Sequence, residues 1–358
     1  MQYYAVIMAG GGGTRFWPLS RQQMPKQLLN ISGNDVMINE SIKRLTDVIP
    51  LSNIYIVTNR KQKDIIDEVI LDDLPRENIL FEPVGRNTAA CIAYAAIAIT
   101  KRSPDAVMCV LPSDHHIADE AGFRKTLIEA CKVAEEAEML VTIGIKPTFP
   151  STGYGYIRYN PEAEPCIHGA YEVGEFIEKP NIEKARRYLE SGSYLWNSGM
   201  FVWKVSTILD NLMRYLPRLY KSMMRIKEMM GMEKEQEKID AIYSAIQSIS
   251  IDFGIMERSD DVLVIPGDFG WNDVGSWDAL GSIFPTDESG NIVRAKHICM
   301  NTRNSIIYSN DRLVATIGLD DLIIADTPDA LLICPKSKAQ EVKSIVELMK
   351  ARGMEEYT

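Results

Sequence analysis

The sequence predicts an α/β protein with a mostly parallel sheet, because strand-length apolar runs alternate with segments of helical period through about the first 150 residues. The first of those runs leads directly into four consecutive glycines, Gly10 to Gly13, a loop that should hold phosphate. After about Asp287 the pattern changes to short β runs, which predicts a small β-rich domain. The expected division is a large domain over 1–286 and a small one over 287–358.

In order, the expected strands of the first part are Tyr4 to Met8, Ile54 to Thr58, Ala106 to Leu111 and Leu140 to Ile145. Between them, helices are expected over Ile38 to Val48, Lys61 to Leu71, Thr88 to Lys101 and Phe123 to Ala137. Breakers such as Pro50, Asn59, Pro104 and Pro112 flank the strands. From Gly153 to Trp203 the texture is one of shorter strands broken by turns, with a helix over Pro180 to Glu190. Residues 205–248 read as helical and methionine-rich, including a helix Glu233 to Ile246, and the methionines read as core filling. A strand Val262 to Pro266 then leads into a loop of glycines, aspartates and tryptophans, Gly267 to Trp277. The tail predicts strands Asn291 to Ala295, Ser305 to Ser309, Leu313 to Ile317, Leu322 to Ala325 and Leu331 to Cys334, closed by a helix Ala339 to Arg352. No chemistry is evident in this tail, so packing or oligomerisation is its expected role, with a homodimer as the assembly.

Composition narrows the partners. The 358 residues carry 39 Lys plus Arg against 49 Asp plus Glu, a formal charge of −10, with 46% hydrophobic and 25% charged residues. That balance fits a globular chain and excludes a disordered one. It also argues against nucleic acid as partner, since coating a phosphate backbone needs an excess of cations. Any anionic substrate must therefore be held by a local site. The six cysteines stand singly, without CxxC spacing, and read as reduced core residues. Neither a basic leader with a long apolar core nor a stretch of about 18 apolar residues occurs, so no membrane partner and a cytoplasmic location are expected.

The run Ala9-Gly10-Gly11-Gly12-Gly13-Thr14-Arg15 follows the first strand directly. Residues without side chains let several backbone N–H groups converge on one anion, and a helix start after them would add its positive end. No Gly-Lys-Ser/Thr closes the loop, so it is not a Walker A loop. Phe16-Trp17-Pro18-Leu19-Ser20 also stands where the helix of a dinucleotide fingerprint should begin. Downstream, Arg15, Arg21 and Lys26 place cations in one segment stiffened by Pro18 and Pro25. Loop and cations together read as a triphosphate cradle.

Further segments extend this pattern. They are Glu82-Pro83-Val84-Gly85-Arg86-Asn87-Thr88-Ala89, Leu111-Pro112-Ser113-Asp114-His115, Thr152-Gly153-Tyr154-Gly155-Tyr156-Ile157, Phe176-Ile177-Glu178-Lys179-Pro180, Trp196-Asn197-Ser198-Gly199-Met200-Phe201 and Gly270-Trp271-Asn272-Asp273-Val274-Gly275-Ser276-Trp277. With Gly10 to Lys26 they resemble, in order, the mannose-1-phosphate guanylyltransferases (GDP-mannose pyrophosphorylases) of the sugar-phosphate nucleotidyltransferase family. The resemblance covers residues 5 to about 280. It implies a Rossmann-like mixed sheet of the nucleotide-diphospho-sugar transferase type, and the tail looks like that family's short left-handed β-helix. The chain stops before any isomerase cupin, so the monofunctional form is expected.

The resemblance implies GTP and mannose 1-phosphate as substrates, GDP-mannose and pyrophosphate as products, and Mg²⁺ as cofactor. Asp114 should emerge at a strand's C-terminal end, where open α/β sheets bind ligands. By resemblance it meets Asp273 on one Mg²⁺, a donor set that phosphates and water complete. As a lone residue, Asp114 would read as a helix N-cap. Nucleotide contacts are implied for Ala9, Gly10, Gly11, Gly13, Thr14, Arg15, Lys26, Glu82, Gly85, Asn87, Thr88 and Ser113, with Glu82, Gly85 and Asn87 reading guanine. Asn87 or Thr88 would otherwise cap the helix that follows. Gly153, Glu178, Lys179 and Asn197 match the sugar-phosphate positions, and Arg15, Lys26, Asp114, Lys179 and Asp273 carry the catalytic roles. His115 and His116 lack a third ligand at metal spacing and read as loop polar residues. Two departures bear on fine specificity: Phe16 stands where an aliphatic residue is usual, and Arg258 follows Glu257 where Lys is common.

Overall fold

A ten-stranded mixed sheet carries the larger part of the chain in the computed structural model, which describes residues 1–11, 13–232 and 235–358. The first half runs β1 (Tyr3–Ala9), α1 (Met37–Lys43), β2 (Ile54–Asn59), α2 (Lys63–Val69), β3 (Ile79–Glu82), α3 (Asn87–Thr100), β4 (Val107–Pro112), β5 (His116–Ile117), α4 (Glu120–Ala137) and β6 (Leu140–Ile145). The middle adds β7 (Tyr156–Arg158), β8 (Tyr171–Glu172), β9 (Glu175–Ile177), α5 (Ile182–Ser191), β10 (Tyr194–Lys204), α6 (Val205–Tyr215), α7 (Pro217–Met229), α8 (Glu235–Ser244), β11 (Val262–Gly267) and β12 (Trp271–Asn272).

Strand order is β3-β2-β1-β4-β10-β6-β11-β8, and every strand of this path except β10 and β8 runs in one direction. The chain winds outward from β1 to β3, then returns to place β4 on the other side of β1. That reversal opens a crevice at the carboxyl ends of β1 and β4, the place where open sheets bind ligands. Alternation along β1 shows why the sheet is buried on both faces. Tyr4 and Val6 pack with α3 and the α6–α8 group, while Ala5 and Ile7 face α1, α2 and α4.

Two expectations about the middle segment change. Residues 194–204 form one eleven-residue strand instead of short strands broken by turns. The turn residues Asn197, Ser198 and Gly199 make a bulge inside it, where the register against β6 shifts. Gly199 takes φ 70°, Asn197 Oδ1 accepts from the Gly199 N–H at 3.0 Å, and Ser198 Oγ donates to the Ile143 carbonyl at 2.6 Å. Strand β3 and the antiparallel placement of β10 were not legible from the sequence pattern. Of the methionines, Met223 is buried in the core while Met213 and Met232 are exposed. The expected start of the 233–246 helix at Glu233 lies outside the described residues, as does Gly12 of the loop.

The tail forms a separate four-stranded sheet of β13 (Ile292–Met300), β14 (Ile306–Ile317), β15 (Leu322–Asp326) and β16 (Leu331–Pro335), followed by α9 (Val342–Ala351). The runs expected at 305–309 and 313–317 are one strand, because the turn-prone Asn310 and Asp311 only shift its register against β13. Inner residues Ile292, Ile306, Ile323, Val342 and Val346 join Phe16, Trp17, Val274, Trp277 and Leu280 in one core. The tail therefore packs on two loops of the larger sheet. Trp17 Nε1 donates to the Tyr357 carbonyl at 2.7 Å, fastening the segment after the glycine loop. On the outer face Ile298, Met300, Leu313, Ile317, Leu331 and Ile333 remain exposed.

The cysteine expectation is half right. Cys91, Cys109 and Cys131 are buried, whereas Cys166, in a bend between β7 and β8, and Cys299, on β13, are exposed and Cys334, on β16, is half-buried. All six are free thiols. Among the described residues no helix is long and apolar enough to cross a membrane.

Candidate functional site

The crevice holds a cleft of about 410 Å³ at the carboxyl ends of β1 and β4. Its lining brings together Gly10, Gly11, Glu82, Gly85, Asn87, Thr88, Ser113, Asp114, Gly153, Glu178, Asn197 and Asp273, all residues singled out from the sequence. Gln27, His115, Tyr154, Asp252 and Trp271 also line it, and sequence reasoning gave none of them a role.

A two-stranded ribbon explains how distant carboxylates meet. β5 pairs with β12, Ile117 opposite Trp271 and His116 opposite Asn272, so the loop bearing Asp114 is tied to the loop bearing Asp273. Ala118 N–H donates to the Gly270 carbonyl at 3.2 Å and Asp119 N–H to Phe269 at 3.0 Å, extending the join. Trp271 Nε1 donates to His115 Nδ1 at 3.0 Å. Burial pushes the His115 imidazole down to about 4, so it is neutral at pH 7 and serves as an acceptor in this brace. Asp114 does not cap the following helix, a task performed by Asp119, whose carboxylate accepts from the Gly122 N–H.

Lys26 stands between the two loops. Its side chain is only 4% exposed, its Nζ lies 3.0 Å from Asp114 Oδ2 and it donates to the Asp273 carbonyl at 2.6 Å. Burial alone would raise the Asp114 carboxyl, but the Lys26 ammonium, joined by the His115 imidazolium in the acid range where it is charged, outweighs it and holds the group below its ordinary value. On the other side, Tyr154 O–H donates to Asp273 Oδ1 at 2.6 Å. Burial, followed by the Asp273 charge, raises the Tyr154 phenol, which stays protonated as a donor.

Among the described residues no group of three or more His, Cys, Asp or Glu could hold a metal by itself. Asp114 and Asp273 supply hard oxygen donors on adjoining loops at one cleft, and that set fits a divalent cation whose remaining ligands are phosphate oxygens and water.

The glycine loop is shaped by its neighbours. Gly13 has φ 51°, and a Cβ there would fall 2.6 Å from Lys26 Cβ, so the loop needs glycine to lie against Lys26. Gln27, 2% exposed, donates through Nε2 to the carbonyls of Ala9 at 2.7 Å and Gly11 at 3.2 Å. These bonds fix the loop backbone on either side of Gly10. No helix start follows the loop: Thr14–Phe16 is a three-residue 3-10 turn, because Pro18 and the buried Phe16 and Trp17 draw the chain into the tail's core. Ala9, Thr14 and Arg15 do not line the cleft, and Arg15 is exposed. Neither Gly13 nor Lys26 lines it directly; they form the layer beneath.

At one end of the cleft, Glu82 closes β3 with 3% exposure and accepts a short hydrogen bond from Tyr243 O–H through Oε1. Burial pushes its carboxyl up to about 7, with the Tyr243 bond opposing. The capping role considered for Asn87 and Thr88 does not hold. Asn87 sits at φ 66°, its Oδ1 accepts from the adjacent Thr88 N–H at 2.8 Å, and Thr88 Oγ1 accepts from the Ile251 N–H at 2.8 Å. Ser113 is buried, its N–H donating to the Met8 carbonyl at 3.2 Å.

At the other end, the β10 bulge aims Asn197 into the cleft, where Nδ2 donates to Asp252 Oδ1 at 2.9 Å. Burial, with Glu178 adding to it, raises the Asp252 carboxyl to about 6. Gly155 permits this crowding, since a Cβ there would come 2.5 Å from Glu178 Oε2. Lys179 is 60% exposed outside the lining, 2.6 Å from Glu178 Oε1. One end thus offers a buried carboxylate to a planar edge, and the other offers hydroxyl partners. Between them lie the loop amides, Lys26 and the two aspartates, an arrangement suited to phosphates.

Comparison with known proteins accords with this layout. Residues 4–290 match the family model described as nucleotidyl transferase, and residues 295–349 match the MannoseP isomerase/GMP-like beta-helix domain. A mannose-1-phosphate guanylyltransferase of Escherichia coli is 41% identical over 99% of this chain and 75% of its own length. One from Klebsiella pneumoniae is 38% identical over 98% of this chain and 75% of its own. A crystal structure described as a mannose-1-phosphate geranyltransferase of Thermus thermophilus superposes with a TM-score of 0.88 at 32% identity, covering 98% of this chain and 100% of that one.

Proposed function

The chain belongs to the nucleotidyl transferase family, and from that premise we propose that it transfers GMP from GTP to α-D-mannose 1-phosphate, releasing pyrophosphate and forming GDP-mannose. The observation that carries the reading is a cleft in which Gly10, Gly11, Asp114 and Asp273, with Lys26 in the layer beneath, adjoin a buried carboxyl at one end and a cluster of polar side chains at the other. The names of the relatives supply the sugar and the base.

Glu82, Gly85 and Asn87 face the guanine edge, whose N1–H and N2–H donors a carboxylate accepts side by side. Loop N–H groups at Gly10 and Gly11 hold triphosphate oxygens, with Thr14, Thr88 and Ser113 supporting the same substrate. Arg15 and Lys179, the latter paired with the cleft-lining Glu178, add cations for the phosphates. Lys179 serves the sugar phosphate, while Glu178, Asn197 and the Gly153 backbone receive mannose hydroxyls. Asp114 and Asp273 would hold Mg²⁺, which supplies charge neutralisation and orientation to the phosphates when bound. The attacking phosphate oxygen is already anionic near neutral pH, so no general base is needed. What the chain must do is bring two polyanions into line, a task for the buried Lys26 ammonium and the loop amides. The attacking oxygen bonds to the α-phosphorus as its bond to the β-bridging oxygen breaks, and pyrophosphate departs with that electron pair. We also propose 286/287 as the domain division, supported by the change from the ten-stranded to the four-stranded sheet.

Offering the purified protein a panel of nucleoside triphosphates and sugar 1-phosphates, with pyrophosphate release as readout, tests this. The highest kcat/KM is expected for GTP with mannose 1-phosphate. Preference for another pair would replace the substrate assignment, and no release with any pair would leave only a binding role.

A further inference from the structure

We infer that Tyr243 is a positioning residue for base choice: its phenol fixes the Glu82 carboxylate so that the remaining acceptor positions meet the purine edge. This rests on the base-reading role given to Glu82 above.

Tyr243 is 0% exposed, in the last turn of α8, and a phenol O–H so buried needs a polar partner. It finds Glu82 Oε1. The second oxygen turns toward the glycine loop, since Oε2 is the atom that a Cβ on Gly10 would meet, at 2.9 Å. α8 itself is held firmly. The Arg60 guanidinium forks onto both carboxylate oxygens of Asp240, and Arg86 Nη2 donates to the Ser244 carbonyl. The phenol's place is therefore set by the scaffold and does not adapt to Glu82.

An ionised carboxylate has about four acceptor sites, and Tyr243 occupies one, leaving both oxygens able to accept from guanine N1–H and N2–H. A protonated carboxyl presents one O–H donor and one acceptor. That pattern matches adenine instead, which offers N1 as acceptor and N6–H as donor. The charge state of Glu82 thus decides which purine fits. Among the described residues, the titratable groups facing it are Tyr243 from α8 and Cys91 and Tyr94 from α3, none of them a cation. The Tyr243 bond is what opposes the burial that lifts this carboxyl to about 7. As pH falls through that value, the protonated form grows and discrimination against ATP weakens.

The test measures kcat/KM for GTP and ATP from about pH 6 to 9 in the full chain, its Tyr243→Phe variant and its Glu82→Gln variant. Tyr243→Phe is expected to cut the GTP-to-ATP ratio about tenfold, the scale of one hydrogen bond to a charged group. The loss should lie in the KM for GTP, with the KM for mannose 1-phosphate unchanged and the acid limb of the GTP profile moved to higher pH. Equal losses for both nucleotides, or an unmoved limb, would overturn the inference. If Glu82→Gln keeps full discrimination, the base-reading role itself is wrong. If Glu82→Gln loses it while Tyr243→Phe does not, only the role of Tyr243 falls. Should Tyr243→Phe not fold, 3-fluorotyrosine at position 243 is a stronger donor of nearly the same shape. It is expected to move the limb to lower pH, and a stationary limb overturns the proposal.

Discussion

Asp273→Asn is expected to lower turnover by about 10²–10³-fold with the fold intact, the scale seen when one group that stabilises transition-state charge is removed. The substitution is nearly isosteric, and an amide oxygen still accepts from Tyr154 O–H, now at 2.6 Å from Asp273 Oδ1. The backbone carbonyl that receives Lys26 Nζ is also untouched. What disappears is one of two negative charges offered to a divalent cation, so pyrophosphate release should fall at every Mg²⁺ concentration. Thermal unfolding should move little. Near-normal turnover across a Mg²⁺ titration would remove Asp273 from the metal site.

Lys26→Met is expected to damage stability as well as activity. Removing the ammonium leaves Asp114 without its 3.0 Å partner in a site where Lys26 is 4% and Asp114 34% exposed. Breaking a fully buried pair costs roughly 3–5 kcal/mol, and the opening of Asp114 toward the cleft reduces this to about 1–3 kcal/mol. The pH dependence has a definite sign. A carboxyl held below its ordinary value contributes stability above the unfolded-state value and loses it as pH falls through the lower, folded-state value. The gap between wild type and variant should therefore be widest near neutral pH and narrow in acid. Denaturant melts at neutral and acid pH check this, and a gap that widens in acid would contradict the pairing. Turnover should fall with stability corrected for, because the same ammonium lies beneath the phosphate loop, where Gly13 packs on its Cβ.

Much of the frame was legible because its signals are local. Strand-length runs and breakers marked β1, β2, β4 and β6, and glycines followed by Arg15, Arg21 and Lys26 marked a phosphate site. Asp114 was placed by the end of an apolar strand. The proximity of Asp273 came from resemblance, since its physical cause, the β5–β12 ribbon, is two short strands with no periodicity to read. Strand β10 was hidden by its own function: residues that bulge a strand to aim Asn197 look like a turn. Arg15 and Lys26 read alike as cations, yet one is exposed and the other buried, because Gly13 packs on Lys26 and the Asp114 and Asp273 loops close over its ammonium. Tyr243 left a usable trace. It lies in an apolar stripe with Ile239 and Ile246, and a tyrosine on a buried stripe implies a polar partner inside the protein. Asp252 left none, because its neighbours in the cleft, Asn197 and Glu178, come from other segments.

Phe16, Val274 and Trp277 sit in the same hydrophobic mass as Ile306, Ile323 and Val346. A solvent that melts the terminal sheet therefore uncovers the undersides of both loops, and the engine is expected to stop when its ornament goes. Amide exchange and catalysis followed along one temperature ramp should lose their signals together.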